Sequence, residues 1–171
     1  MLNINIICVG KIKEIYLKDA LEEYKKRLSR YCKLNMIELP DEKIPDKLNS
    51  SLENEIKSKE CMNIMNHIKK DSYVIALDLK GKQFTSEEFS KKIENLSMET
   101  SSLTFIIGGS LGLTQELLDT CKLKICFSKM TFPHQLIRVF LFEQIFRAFK
   151  IQNGETYHRS VSYTHLTLPT T

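Results

Sequence analysis

The chain has 171 residues, 42% of them hydrophobic and 27% charged. That is one domain's worth of ordinary globular composition, and it excludes a disordered, a collagen-like or a disulfide-dense chain. The formal charge of +4 is uneven: residues 1–35 carry +4 and residues 121–171 carry +5, against −2 for 36–72 and −3 for 73–120.

Residues 3–9 (NINIICV) are apolar and β-branched and stop at Gly10, so they read as a strand. A helix follows, with Leu17, Leu21, Tyr24, Leu28 and Tyr31 at three- and four-residue spacing. Residues 35–39 form a second strand stopped by Pro40, and the turn-rich segment 40–50 is a surface loop. Ser50 with Glu53 reads as a capping box that opens a helix carrying Leu52, Ile56, Met65 and Ile68. Residues 73–77 (YVIAL) are a third strand, followed by the turn Lys80-Gly81-Lys82. Thr85 and Glu88 make a second capping box, with Phe84 stapled onto Phe89, for a helix through Ile93 and Leu96. Residues 103–107 (LTFII) are a fourth strand that ends in Gly108-Gly109. Thr114 caps a short helix, with Leu113 stapled onto Leu118; residues 124–128 are a fifth strand, and Pro133 precedes a long helix to about Ile151. Five alternations with crossover-length connections predict one α/β domain, a parallel sheet with helices on both faces. Residues 160–171 (SVSYTHLTLPTT) carry no formal charge and fit no element; they are expected to be a non-native or disordered tail to a domain of residues 1–159.

No apolar run reaches the roughly 18 residues of a membrane span. Residues 136–149, the most apolar stretch, are broken by Arg138, Glu143, Gln144 and Arg147. The N-terminus lacks a basic start and a small-residue cleavage site. Five cysteines, Cys8, Cys32, Cys61, Cys121 and Cys126, form no C-x-x-C pair, which argues against zinc and against a disulfide framework. The expectation is a reduced, cytoplasmic protein with no metal and no membrane partner.

Ligands of open α/β sheets bind beyond the carboxyl ends of the strands. Three such ends are unusual here: LDLKGK from Leu77, IGGSLG from Ile107, and FSKMTFPH from Phe127. The glycine turn reads G-G-x-x-G, which disfavours the dehydrogenase type of nucleotide binding. It serves either as a sharp structural turn or as a loop that faces a ligand. The last helix is apolar around most of its circumference, so a partner subunit is expected against it. Arg138 lies among its apolar residues and must meet a carboxylate, a carbonyl or an anionic ligand. His134 stands one turn earlier at the helix start. Tyr157-His158-Arg159 closes the chemistry-bearing part, either as surface decoration or as a cluster that stacks on a base and holds a phosphate. Basic ends that met in space would attract phosphate; Lys25, Lys26 and Arg27 on a solvated helix face are the plain alternative.

Taken in order from Asn3 to Arg159, LDLKGK, IIGGSLGL, FSKMTFPHQLIRVFLFEQIFRAFKI and GETYHR make a chain that resembles the ribosomal RNA large subunit methyltransferase H family of the SPOUT superfamily. The resemblance implies a C-terminal trefoil knot in a cytoplasmic homodimer that binds S-adenosylmethionine through backbone groups. It also implies methylation of N3 of a pseudouridine in helix 69 of 23S ribosomal RNA, on the ribosome. Carried over by motif, the cofactor contacts are Leu77, Gly108, Phe127, Ser128, Lys129, Met130, Thr131 and Phe132. Catalysis is expected from Arg138, which stabilises developing negative charge, and from His158, which takes the N3 proton. Lys129, His134, Tyr157 and Arg159 are the expected RNA contacts, and one subunit's C-terminal segment is expected to complete the other's site. Thr156 stands where the family has proline or a small residue, and the family's chains end soon after the Tyr-His-Arg position. The rival readings are a non-catalytic ribosome- or RNA-binding module on the same fold and a flavodoxin-like nucleotide binder.

Overall fold

Strands rich in Ile, Val and Leu on both faces are suited to a sheet covered on both sides, and the computed structural model, which describes residues 1–159, has that arrangement. The expectation for residues 160–171 falls outside the described residues. The elements in order are β1 (Leu2–Val9), α1 (Ile15–Leu28), β2 (Cys32–Leu39), α2 (Ser50–His67), β3 (Tyr73–Lys82), α3 (Ser86–Glu99), β4 (Ser102–Ile107), α4 (Gln115–Thr120), β5 (Leu123–Ile125) and α5 (His134–Gln152). All neighbouring strands are parallel, in the order β2-β1-β4-β3-β5. No helix among the described residues is long and apolar enough to cross a membrane.

Side chains of β1 alternate between two cores, as the period of two requires. Ile4, Ile6 and Cys8 pack with α1, α3 and α5 on one face, among them Leu21, Phe89, Ile93, Phe142 and Ile145. Ile7 and Val9 pack with α2 and α4 on the other, against Cys61, Ile64, Leu117 and Leu118. The Thr85–Glu88 capping box forms in full, with Thr85 Oγ1 accepting from Glu88 N at 3.0 Å and Glu88 Oε1 accepting from Thr85 N at 2.9 Å. Thr114 likewise caps α4 by accepting from Leu117 N.

Four expectations are corrected. The cap of α2 is Asn49, whose Oδ1 accepts from Leu52 N at 2.8 Å, so Ser50 is already helical and the expected Ser50–Glu53 box gives way to a single cap one residue earlier. Tyr31 lies beyond the end of α1; its ring stacks on Phe149 at 5.5 Å and its hydroxyl donates to Glu155. The third strand does not end at Leu77. Leu77 and Lys82 both pair with Ile125, so β3 continues while residues 78–81 loop out of register. Gly81 makes this approach possible, since a Cβ there would lie 2.7 Å from the backbone of Lys124 and Ile125. On the other side of that junction β5 ends at Ile125, three residues short of the expected Ser128, and the chain leaves the sheet to form a loop.

Candidate active site

The bulge after Leu77, the glycine turn after β4 and the loop after β5 all lie at strand C-terminal ends, and they converge on one cavity of about 230 Å³. Of the residues expected at the cofactor, Leu77, Gly108, Phe127, Ser128, Met130, Thr131 and Phe132 line it, and so does His134. Lys129 is exposed and is not among the lining residues. The cavity also takes in Asp78, Leu79, Gly109, Leu113 and Ile137, which the motifs bracket but do not single out. The signal for Asp78 and Leu79 was the LDLKGK turn itself; that they enter the wall depends on a register shift invisible in one strand's sequence.

Local hydrogen bonds hold these loops open. Gly112 N donates to Gly109 O at 3.0 Å, and the two form an isolated bridge. In the other loop Met130 N donates to Ser128 Oγ at 3.1 Å and Cys126 Sγ donates to Ser128 O at 3.0 Å. Leu113 packs so closely on the first glycine that a Cβ at Gly108 would lie 2.9 Å from its Cδ2. The result is an apolar slot edged with main-chain groups, suited to a nucleoside whose ring is packed by aliphatic and aromatic carbons and whose polar edge is read by backbone amides. Asp78 is the lining carboxylate, and its charge sign suits a sulfonium.

Arg138 is fully buried. Its Nη1 donates to Glu38 Oε2 at 3.0 Å and its Nη2 to the Val9 carbonyl at 2.9 Å, so it meets two of the three partner types its position demanded. It does not line the cavity, and its Nε has no partner among the described residues. Glu38 Oε2 also accepts from Ile12 N at 2.8 Å, which ties the ends of β1 and β2 to the first turn of α5. Burial and the neighbouring Arg138 charge hold the His134 imidazole below its usual pKa, against the opposing pull of Asp41, so His134 faces the cavity mainly as a neutral ring.

The Tyr157–His158–Arg159 cluster lies elsewhere. Tyr157 sits edge-on to Phe146 at 5.0 Å beneath the Arg147 guanidinium, and its hydroxyl donates to Glu143 Oε1 at 3.2 Å. Burial, then the Glu143 charge, pushes the Tyr157 phenol up. Arg147 pairs with Glu143 at 2.7 Å. It also donates from Nη1 to His158 Nδ1 at 2.9 Å, which places the His158 proton on Nε2, facing Glu87 Oε1 at 2.7 Å. Arg159 is exposed. Glu143 lines a second cavity, of about 450 Å³, whose wall includes Thr85, Ser86, Phe140 and Gln144. The segment Ile125–Ser128 and Phe132 line both cavities, so one thin partition separates the apolar slot from the space beside the C-terminal cluster.

A parallel α/β sheet with an apolar slot at its carboxyl ends, and without a dehydrogenase fingerprint, defines a class of α/β protein with a candidate ligand site at the strand ends. The sequence model of the family described as "Predicted SPOUT methyltransferase" matches residues 2–158, and the chain belongs to that family. It is 58% identical over 159 residues to Ribosomal RNA large subunit methyltransferase H 1 of Clostridium perfringens (strain SM101 / Type A), covering 92% of this chain and 100% of that protein. Identity to Ribosomal RNA large subunit methyltransferase H of Clostridium botulinum (strain Kyoto / Type A2) is 59% over the same shares. A solved structure of a probable methylase family protein from Haemophilus influenzae Rd KW20 superposes with a TM-score of 0.52 at 15% identity, over 94% of this chain and 72% of that one, which supports the fold alone.

Proposed function

We propose that this protein transfers a methyl group from S-adenosylmethionine to N3 of a pseudouridine in helix 69 of 23S ribosomal RNA, and that it acts on the ribosome as a cytoplasmic homodimer with its C-terminal segment knotted. The observation that carries the reading is the convergence of Leu77, Gly108 and the Phe127–Phe132 loop on one open slot, in a chain of the methyltransferase family. A non-catalytic RNA-binding module on the same fold has no use for that slot, which the protein's own side chains leave open.

The donor, when bound, supplies an electrophilic methyl on a sulfonium, so the protein's work is to hold two reactants in line and to deal with one proton. The main-chain groups at Leu77, Gly108 and residues 127–132 bind and orient the donor, and the half-buried Leu113 and Ile137 exclude water around it. Lys129 is solvent-exposed beside the slot and is assigned to phosphate, together with Arg159 and the lysines of α1. His134, held neutral, orients the pocket at the RNA side. Arg138 acts as a positioning residue, because its guanidinium fixes the strand ends under the slot and reaches no solvent. His158 is assigned to the acceptor's proton. With Nδ1 engaged by Arg147 and Nε2 by Glu87, it must exchange one of these partners to accept it, and the second cavity, lined by the Glu143 that pairs with Arg147, is where a partner subunit or the RNA would prompt that exchange. Tyr157 offers its ring to the base from the same cluster.

The test is methyl transfer from labelled donor to ribosomes that lack the modification, with and without the target pseudouridine. Stoichiometric transfer only when the pseudouridine is present is expected; equal transfer without it would overturn the acceptor assignment. His158→Ala is expected to slow single-turnover methylation at least tenfold while donor affinity stays unchanged.

A further inference from the structure

His158 joins two elements that lie far apart in the chain. Its Nδ1 accepts from Arg147 Nη1 of α5 at 2.9 Å, and its Nε2 faces Glu87 Oε1 of α3 at 2.7 Å. Glu87 stands in the first turn of α3, its side chain 49% exposed, whereas the His158 side chain is only 16% exposed. The charged groups that face the ring are therefore the Glu87 carboxylate on one side and the Arg147 guanidinium on the other, with Glu143 behind Arg147. Tyr157 and Arg159 flank His158 in its own segment, the first on Glu143 and the second exposed.

The two ring nitrogens are not equivalent. Nε2 carries the hydrogen that faces Glu87, so it has no lone pair to offer, and the lone pair of Nδ1 is covered by Arg147. A guanidinium at Nδ1 opposes the arrival of a proton there, while a carboxylate at the opposite nitrogen favours the resulting cation. Arg147 does not depend on His158 for a partner. Its Nε and Nη2 lie 2.9 and 2.7 Å from Glu143 Oε1, and its guanidinium stands 4.8 Å from the centre of the Tyr157 ring. It can release Nδ1 and remain paired.

We propose that Glu87 is a positioning residue for proton removal: it holds His158 by Nε2, so that Nδ1 is the atom that takes the acceptor's N3 proton and Arg147 is the contact that gives way. This rests on the assignment of His158 made above. In the step, the N3–H bond breaks and its proton passes to Nδ1, leaving an imidazolium whose Nε2–H stays on Glu87. The electron pair left on N3 forms the new bond to the donor methyl, and sulfur keeps the pair of the bond that breaks. The carboxylate thereby offsets a charge that appears on the ring only as the proton arrives, the arrangement of a base oriented by a third group. Phosphates of the RNA are an alternative anion for Arg147, so the substrate itself uncovers Nδ1.

Glu87→Gln tests this, since it keeps an acceptor for Nε2–H and removes the charge. The cap of α3 is untouched, because it uses Glu88. Without the carboxylate the imidazolium is less favoured, so the ring stays neutral to lower pH. The acid limb of single-turnover methylation is expected to move down by about half a pH unit or more, and the plateau rate to fall roughly three- to tenfold, because a weaker base removes the proton more slowly. NMR titration of the His158 ring in the isolated protein is expected to move in the same direction, which reads the pair without any turnover. In a His158→Ala background, Glu87→Gln is expected to change the rate by less than about twofold. An acid limb and a ring titration that stay in place in Glu87→Gln mark a surface ion pair and would overturn the assignment. So would a rate loss as large in the His158→Ala background as in the wild type. A His158→Ala protein that methylates as fast as wild type would instead remove the assignment of His158 itself, and this one with it.

Discussion

Guanidinium groups rarely lose all contact with water, and Arg138 does so at the start of α5, with Glu38 and the Val9 carbonyl as its compensation. Removing the cation leaves Glu38 half-stranded, its side chain 28% exposed, and the Val9 carbonyl without that donor. Breaking such a pair costs about 3 kcal/mol, the low end of the usual range, because Glu38 keeps some hydration. Urea denaturation of Arg138→Met is expected to read that loss. Arg138→Lys is expected to recover less than half of it, because one ammonium does not fork between a carboxylate and a carbonyl. Residue-scale logic in the sequence was sound about need and silent about partner. An arginine in an apolar stripe demands an anion or a carbonyl, but Glu38 lies a hundred positions away. Glu87 is the reverse case: in the sequence it is one more acid on a helix, and nothing local marks it as the partner of His158, 71 positions away.

At the scale of elements, periodicity and capping chemistry carried most of the reading. The Thr85–Glu88 box appears where its spacing placed it, because both of its hydrogen bonds lie within four residues. The box expected at Ser50 was replaced by a single cap because Asn49, an equally good acceptor, stands one residue earlier. The β3–β5 junction was misread because a bulge is a property of two strands. Gly81→Ala tests that junction. A methyl placed 2.7 Å from the Ile125 backbone forces the strands apart, and an overpacking cost of about 1–3 kcal/mol is expected by denaturation. Donor affinity is expected to fall as well, since the same junction sets the slot's wall; retained stability and affinity would show the approach to be looser than drawn.

For the whole molecule, the separation of charge along the chain becomes a placement in space. Tyr24 of α1 packs on Phe146 of α5 at 6.3 Å, and Arg27 lies over the same ring at 5.9 Å, so the two basic ends of the sequence share one layer. Lys25 and Lys26 are exposed on it. Replacement of both by alanine is expected to weaken ribosome association, and to flatten its dependence on salt by about 1 in the log–log slope for each phosphate that is no longer neutralised. Donor affinity measured on the isolated protein should not change. An unaltered salt slope would return α1 to the role of a merely solvated face.

The alternation of strand and helix, the parallel sheet and the positions of the three turns that line the slot were all fixed by local chemistry: β-branched runs, caps, and glycines where the chain must bend. Motifs in order added the family. Tertiary structure alone decided that Leu77, Gly108 and Phe132 share one slot while Lys129 does not, and that His158 is bound between Arg147 and Glu87. The reason is that register, burial and pairing depend on which distant segments meet, and a single sequence encodes that meeting only through the fold as a whole.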